Sequence, residues 1–232
     1  MSLTHTDDTA DVVVAGTGAA GCAAAIEAHD SGASVMVLEK TTAESAGGNT
    51  RVSGGAWFHH ENPERAAVYL RSLCGDRTLP EPVVTAWADG TSQVTAWFRT
   101  LGISTSRHTQ FHQVPEFPEL EGSDCYLGVH VVDGVMGGGR LHAALADALS
   151  TRGIPVRYET AAVELTSADG EVVGVTTSAG DTIGVRGGVV LTTGGFEGDA
   201  EMVREYLGLR DVPVWGSTAA TGDGHGMWTP PG

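Results

Sequence analysis

The chain has 232 residues, 41% of them hydrophobic, with 33 glycines and a formal net charge of −16. That length fits one large domain or two small ones, and the apolar share is enough for a real core. The acidic balance argues against nucleic acid and anionic membrane surfaces as partners and reads as a solubility trait.

No apolar stretch reaches the length of a membrane span, and the polar start Met1–Asp8 lacks the features of a signal peptide. Cys22, Cys74 and Cys125 are odd in number and form no Cys-x-x-Cys pair. Neither a disulfide framework nor a disulfide-reductase site is indicated, and a reducing, cytoplasmic setting is expected.

The first element is the most informative. Val12, Val13 and Val14 suit a short strand buried on both faces. It runs into Gly16-Thr-Gly18-Ala-Ala-Gly21. Gly16 allows a tight turn, Gly18 lets the backbone approach a pyrophosphate, and Gly21 lets the next helix lie close to the strand. The helix amides from Ala19 and Ala20 onward can face phosphate oxygens, with the dipole favouring negative charge. This alanine-rich helix ends at Gly32, a suitable C′ residue. A second strand, Ser34–Leu38, carries Glu39 at its carboxyl end. A carboxylate there accepts from the hydroxyls of an adenosine ribose and repels a 2′-phosphate. Strand, glycine turn, helix, strand and acid in this order make a dinucleotide fold, without separating NAD from FAD.

Residues 41–55 read as a glycine-rich loop. Residues 63–102 turn helical, in one segment from Pro63 and a second from Glu81-Pro82 through Trp87, Val94, Trp97 and Leu101. Residues 103–139 read as irregular. A helix over Arg140–Arg152 repeats Leu141, Leu145 and Leu149 every four residues and stops at Gly153. The period then changes to two. Short strands are expected at Val156–Glu159, Ala162–Leu165, Val172–Thr177 and Thr182–Val185, then a separate apolar strand over Gly188–Thr193. A short helix around Ala200–Leu207 precedes a loop ending at Thr221–Met227.

These motifs together resemble the first half of the FAD-binding domain of the fumarate reductase and succinate dehydrogenase flavoprotein superfamily. The soluble branch, with 3-ketosteroid dehydrogenases and flavocytochrome fumarate reductases, is the closer likeness. It rests on Gly16-x-Gly-x-x-Gly21 with Glu39-Lys40, on Gly47-Gly-Asn-Thr50 and Ser53-Gly-Gly55, on Thr192-Thr-Gly-Gly-Phe196, and on Thr221-Gly-Asp-Gly224. The resemblance covers nearly the whole chain and implies an α/β, Rossmann-like FAD-binding domain with a parallel sheet, helices and a small antiparallel β layer. Residues of about 60–139 would be a helical insertion, and about 156–186 the antiparallel layer.

By the same resemblance, Gly48, Asn49, Thr50, Ser53, Gly54 and Gly55 wrap the flavin side of the cofactor. The backbone near Ala162 meets the adenine. Thr193, Gly194 and Gly195 permit close approach, and Asp223 stands beside the ribityl chain. Members that attach FAD covalently do so through a histidine in the loop after the first acid. Residues 41–55 contain none, so the implied cofactor is non-covalent FAD. The family continues past this point into a capping domain and a closing FAD segment. The chain is therefore expected to be an incomplete domain, with Pro230 and Pro231 blocking a helix after Thr221–Gly224.

Other constellations carry less. His59-His60 and the i, i+4 pair His108/His112 lack acidic or cysteine partners at ligand spacing, so no metal site is assigned. No Gly-x-Ser-x-Gly elbow or P-loop occurs. Trp87 and Trp97 read as helix packing. Gly137-Gly-Gly-Arg140 reads equally as an anion nest or as a hinge.

The resemblance implies an FAD-dependent oxidoreductase acting on a carbon–carbon bond beside a carbonyl or carboxylate, with a small substrate such as a steroid or dicarboxylate. No catalytic acid or base is assigned within this chain, and no electron partner. The alternatives are a truncated, non-catalytic dinucleotide-binding fragment and, more weakly, an NAD-dependent dehydrogenase.

Overall fold

A computed structural model describes residues 8–111 and 113–228. His112 and residues 229–232, with Pro230 and Pro231, lie outside the described residues. The strands in chain order are β1 (Thr9–Ala15), β2 (Val35–Leu38), β3 (Ala56–Phe58), β4 (Thr105–Arg107), β5 (Val129–Val132), β6 (Val156–Arg157), β7 (Ala162–Ala168), β8 (Glu171–Thr177) and β9 (Thr182–Leu191). The helices are α1 (Ala19–Asp30), α2 (Gly48–Val52), α3 (Pro63–Cys74), α4 (Glu81–Thr100), α5 (Gly138–Thr151), α6 (Ala200–Leu207) and α7 (Asp223–Trp228). They fall into two compact units, one formed by the chain up to Ser53 and from Leu141 on, the other by Gly54–Arg140.

The first unit is an α/β layer built on a six-stranded sheet of order β6-β2-β1-β9-β8-β7. β6, β2, β1 and β9 run parallel, as the buried valine runs of β1 and β2 require. All four residues of β2 are buried, and Val13 and Val14 are inaccessible. β8 and β7 extend the sheet antiparallel through tight turns. One face packs Val13, Ala15, Met36 and Leu38 against Ala162, Val175 and Ile183. α1 buries Cys22, Ala25 and Ile26, and α5 buries Leu141, Leu145 and Leu149 as the four-residue repeat requires. Each large apolar side chain so buried contributes about 1.5–3 kcal/mol. α1 closes as expected: Gly32 (φ +94°) donates to His29 O at 2.8 Å and Ala33 to Ala28 O at 3.0 Å, a Schellman pair.

Several local expectations change. Thr182–Val185 and Gly188–Leu191 are one strand, because the register of β9 against β1 slips between Ala10 and Val12 instead of breaking. Arg186 at the slip donates to Asp11 Oδ1 at 2.7 Å, and this guanidinium, with Ser34, holds the Asp11 carboxyl below the ordinary range. Val156–Arg157 belongs to the parallel sheet beside β2, not to the antiparallel layer. The loop after Glu39 contains α2, a single helical turn. A short helix, α7, does begin at Asp223 in place of the expected blocked segment.

The second unit confirms two helices over the segment read as helical, each with proline in its first turn. Residues 103–139 are less irregular than expected, because β5 pairs antiparallel with both β3 and β4 in a three-stranded sheet. Its core is aromatic: Phe58 lies against Tyr69, Trp87 and Tyr126, and Trp57 stacks on Phe98 at 4.7 Å. No described helix is long and apolar enough to cross a membrane.

Candidate functional site

The chain leaves β1 toward β2 on one side and returns to β9 on the other, so the strand order reverses at β1. Ligands of open α/β sheets bind outside the strand carboxyl ends at such a reversal. Here that position is a cleft of about 820 Å³, counted with its open mouth, lined by Ala15, Leu38 and Thr192 at the strand ends.

The glycines of the first turn have separate duties. At Gly16 (φ +109°) a Cβ would lie 2.5 Å from Thr192 O. At Gly21 it would lie 1.9 Å from Gly16 O, so the bare helix packs directly on the turn. Gly18 is the N-cap of α1 and supplies no side-chain cap. That duty passes to Thr50, whose Oγ1 accepts from the Ala19 amide at 2.8 Å. The Ala19 N–H is thus held by the protein. The first helical bond is Cys22 N–H to Gly18 O, which leaves the Ala20 and Gly21 amides ahead of it.

Glu39 is 7% exposed, and each carboxylate oxygen is chelated by one threonine. Oε1 accepts from the amide and hydroxyl of Thr41 at 2.9 and 2.8 Å. Oε2 accepts from the Thr17 amide at 3.1 Å and from the Thr17 hydroxyl. Lys40 Nζ donates to Asp223 Oδ2 at 2.8 Å and to Thr221 Oγ1 at 2.6 Å. Asp223 Oδ1 accepts from the Thr221 hydroxyl at 2.7 Å, so the acid on the last loop is oriented from both sides. Asn49 bridges in a similar way, donating to Glu197 Oε1 and accepting from the Ser217 amide at 2.8 Å.

Most of the expected site residues meet on this one cleft. Gly16, Gly18, Ala19, Ala20, Glu39 and Lys40 line it, as do Gly48, Asn49 and Thr50. Ala162, Thr193, Gly194 and Asp223 complete the set from the later strands and loops. Gly21 is a packing residue behind the wall. Gly195 faces Glu197, whose Oε2 a Cβ would approach to 2.5 Å. The Ser53 hydroxyl donates to Thr50 O at 2.9 Å. Gly54 and Gly55 belong to the second unit, Gly54 against Met136 and Gly55 against the Gly137–Gly138 backbone.

Thr17 and Thr41 were not singled out from the sequence, and Thr192 only as the first residue of the Thr192–Phe196 motif. Each flanks a residue that was, which is the only signal they carry. His142 was also missed. It is 9% exposed, its Nε2 has no partner, and its ring lies 2.6 Å from where a Gly47 Cβ would stand. Burial first, then Arg51, pushes its pKa down, so the ring is neutral. Among the described residues no group of three or more His, Cys, Asp or Glu could hold a metal ion.

The glycine cradle, the helix amides and the ordered acids fit an adenine dinucleotide. The model of the FAD binding domain family matches residues 11–229. The chain belongs to this family. It is 28% identical to a 3-oxosteroid 1-dehydrogenase of Mycolicibacterium smegmatis over 92% of this chain and 52% of that protein. It is 30% identical to an NADH:fumarate oxidoreductase of Klebsiella pneumoniae over 84% of this chain and 21% of that protein. Among solved structures, a 3-ketosteroid-Δ4-(5α)-dehydrogenase from Rhodococcus jostii superposes with a TM-score of 0.81 at 26% identity. That alignment covers 96% of this chain and 54% of the other. The chain thus spans about half the length, or less, of these relatives and corresponds to the N-terminal part of the shared FAD-binding fold.

Proposed function

We propose that this chain holds FAD non-covalently as part of an oxidoreductase acting on a carbon–carbon bond beside a carbonyl or carboxylate. When bound, FAD supplies a flavin that accepts or gives a hydride at such a bond. The observation that carries the reading is one cleft in which Glu39, the Gly16–Gly18 turn and the start of α1 converge. The α1 amides and dipole favour a pyrophosphate, and Glu39 takes ribose hydroxyls. Asp223, oriented by Lys40 and Thr221, accepts from the ribityl chain. Residues 41–55 offer no histidine for a covalent link. The relatives' names support a steroid-like or dicarboxylate-like substrate. The three free cysteines accord with a reducing, cytoplasmic setting.

The purified protein, incubated with FAD and desalted, should show flavin absorbance that acid precipitation releases to the supernatant. A protein that stays colourless overturns the reading. A second reading, a dinucleotide-binding unit without catalysis of its own, is favoured by the 52% coverage of the steroid-acting relative. Turnover of a ketosteroid or dicarboxylate with an artificial electron acceptor or donor would exclude it.

A further inference from the structure

The four donors on Glu39 fill the acceptor positions a carboxylate offers, about two on each oxygen. A ligand hydroxyl can reach this acid only by displacing one of them. The two amides are fixed. The Thr41 backbone is pinned by Glu159 N–H to Thr41 O at 2.9 Å and by Thr160 N–H to Glu39 O at 2.9 Å. Of the two hydroxyls, that of Thr17 belongs to a residue only 3% exposed. Thr41 is half-buried in the wall of the cleft, and its Oγ1 has a second acceptor, Thr42 O, at 3.4 Å.

We propose that the Thr41 hydroxyl is a placeholder. It occupies on Glu39 Oε1 the position of a ribose hydroxyl and turns to the Thr42 carbonyl when the ligand enters. This rests on reading the cleft as an adenine-dinucleotide site and adds the residue that sets its affinity for the sugar. Hydrogen bonds are conserved in the exchange: Glu39 trades one O–H donor for another, and Thr41 trades one acceptor for another. The contact of wild-type Glu39 with the sugar therefore yields little net affinity. Its cost is set by the hydroxyl that must leave.

Titration calorimetry with ADP and with 2′,3′-dideoxy-ADP tests this on the full chain. Thr41→Ala leaves a vacant acceptor position on a buried acid, so ADP should bind about five- to tenfold more tightly than to wild type. Thr41→Ser, which keeps the hydroxyl, should restore wild-type affinity. The dideoxy nucleotide should bind all three proteins equally. The placeholder is overturned if Thr41→Ala binds ADP no better than Thr41→Ser, or if it tightens on the dideoxy nucleotide by the same factor. If wild type binds neither ADP nor FAD, the dinucleotide reading falls and the placeholder with it. Wild-type binding without the Thr41→Ala gain removes the placeholder alone.

Discussion

Gly21 is the residue where sequence and geometry meet most sharply, since a Cβ there would stand 1.9 Å from the Gly16 carbonyl oxygen. The oxygen is main chain and a Cβ is held rigidly by its own backbone, so relief requires α1 to move off the turn. Gly21→Ala should cost at least about 3 kcal/mol, the upper end of ordinary overpacking. Gly32→Ala is the control. Its Cβ meets nothing within 4 Å, and the substitution carries only the strain of φ +94°, about 1–2 kcal/mol. Denaturant midpoints of the two variants measure the difference, and equal losses would show that the helix yields freely. The same contrast explains what could be read from the residues alone. Gly16, Gly18, Gly21 and Glu39 announce themselves because each role needs a particular residue type at fixed spacing. Thr17 and Thr41 do not, because a threonine hydroxyl is common and its partner here is set by the fold. His142 sits among Leu141, Leu145 and Leu149 on an apolar face, where nothing local distinguishes it from a core residue.

At the scale of elements, period and punctuation located α1, α3, α4 and α5, and the valine runs located β1 and β2. What stayed hidden was pairing. β6 is two residues long and is a parallel strand only because β2 lies beside it. β3, β4 and β5 are three or four residues each, too short for an alternating pattern to register. The two halves of β9 read as separate strands because Arg186-Gly-Gly188 looks like a turn, whereas pairing with β1 carries the chain through it. α4 offers a clean test of element-level stability. Gly90 lies in the middle of this 20-residue helix, is exposed, and has open space where a Cβ would go. Gly90→Ala should therefore stabilise the protein by about 1 kcal/mol, seen as a higher melting temperature. No gain, or a loss, would mean that the glycine meets a partner or serves a bend.

At the scale of the whole molecule, four histidines among the described residues are held neutral by burial: His59, His60 and His130 in the second unit, and His142 in the first. His59 and His130 lie in tilted contact, ring centroids 3.9 Å apart, and share the Thr95 hydroxyl, so they cannot both charge at low cost. His60 is fully buried, with Nε2 on Thr91 Oγ1 at 2.7 Å and no partner at Nδ1. Each has a folded pKa depressed below the ordinary 6.5. Below 6.5 the unfolded chain binds these protons and the folded chain does not. Stability is therefore full above 6.5, falls as pH drops beneath it, and levels off once the folded-state values are passed. Thermal melts between pH 7.5 and 5 should show this fall, and His130→Asn should flatten it by removing one member of the contacting pair. Three of the carboxylates bound by arginine, Asp11, Asp30 and Asp124, have lowered pKa values and lose their contribution only at more acidic pH. A loss that begins near neutrality thus belongs to the histidines, whereas one confined to pH below about 4, the ordinary carboxylate range, belongs to the acids. A melting temperature that holds constant from pH 7.5 to 5 would mean that these imidazoles accept protons in the folded protein as readily as in water.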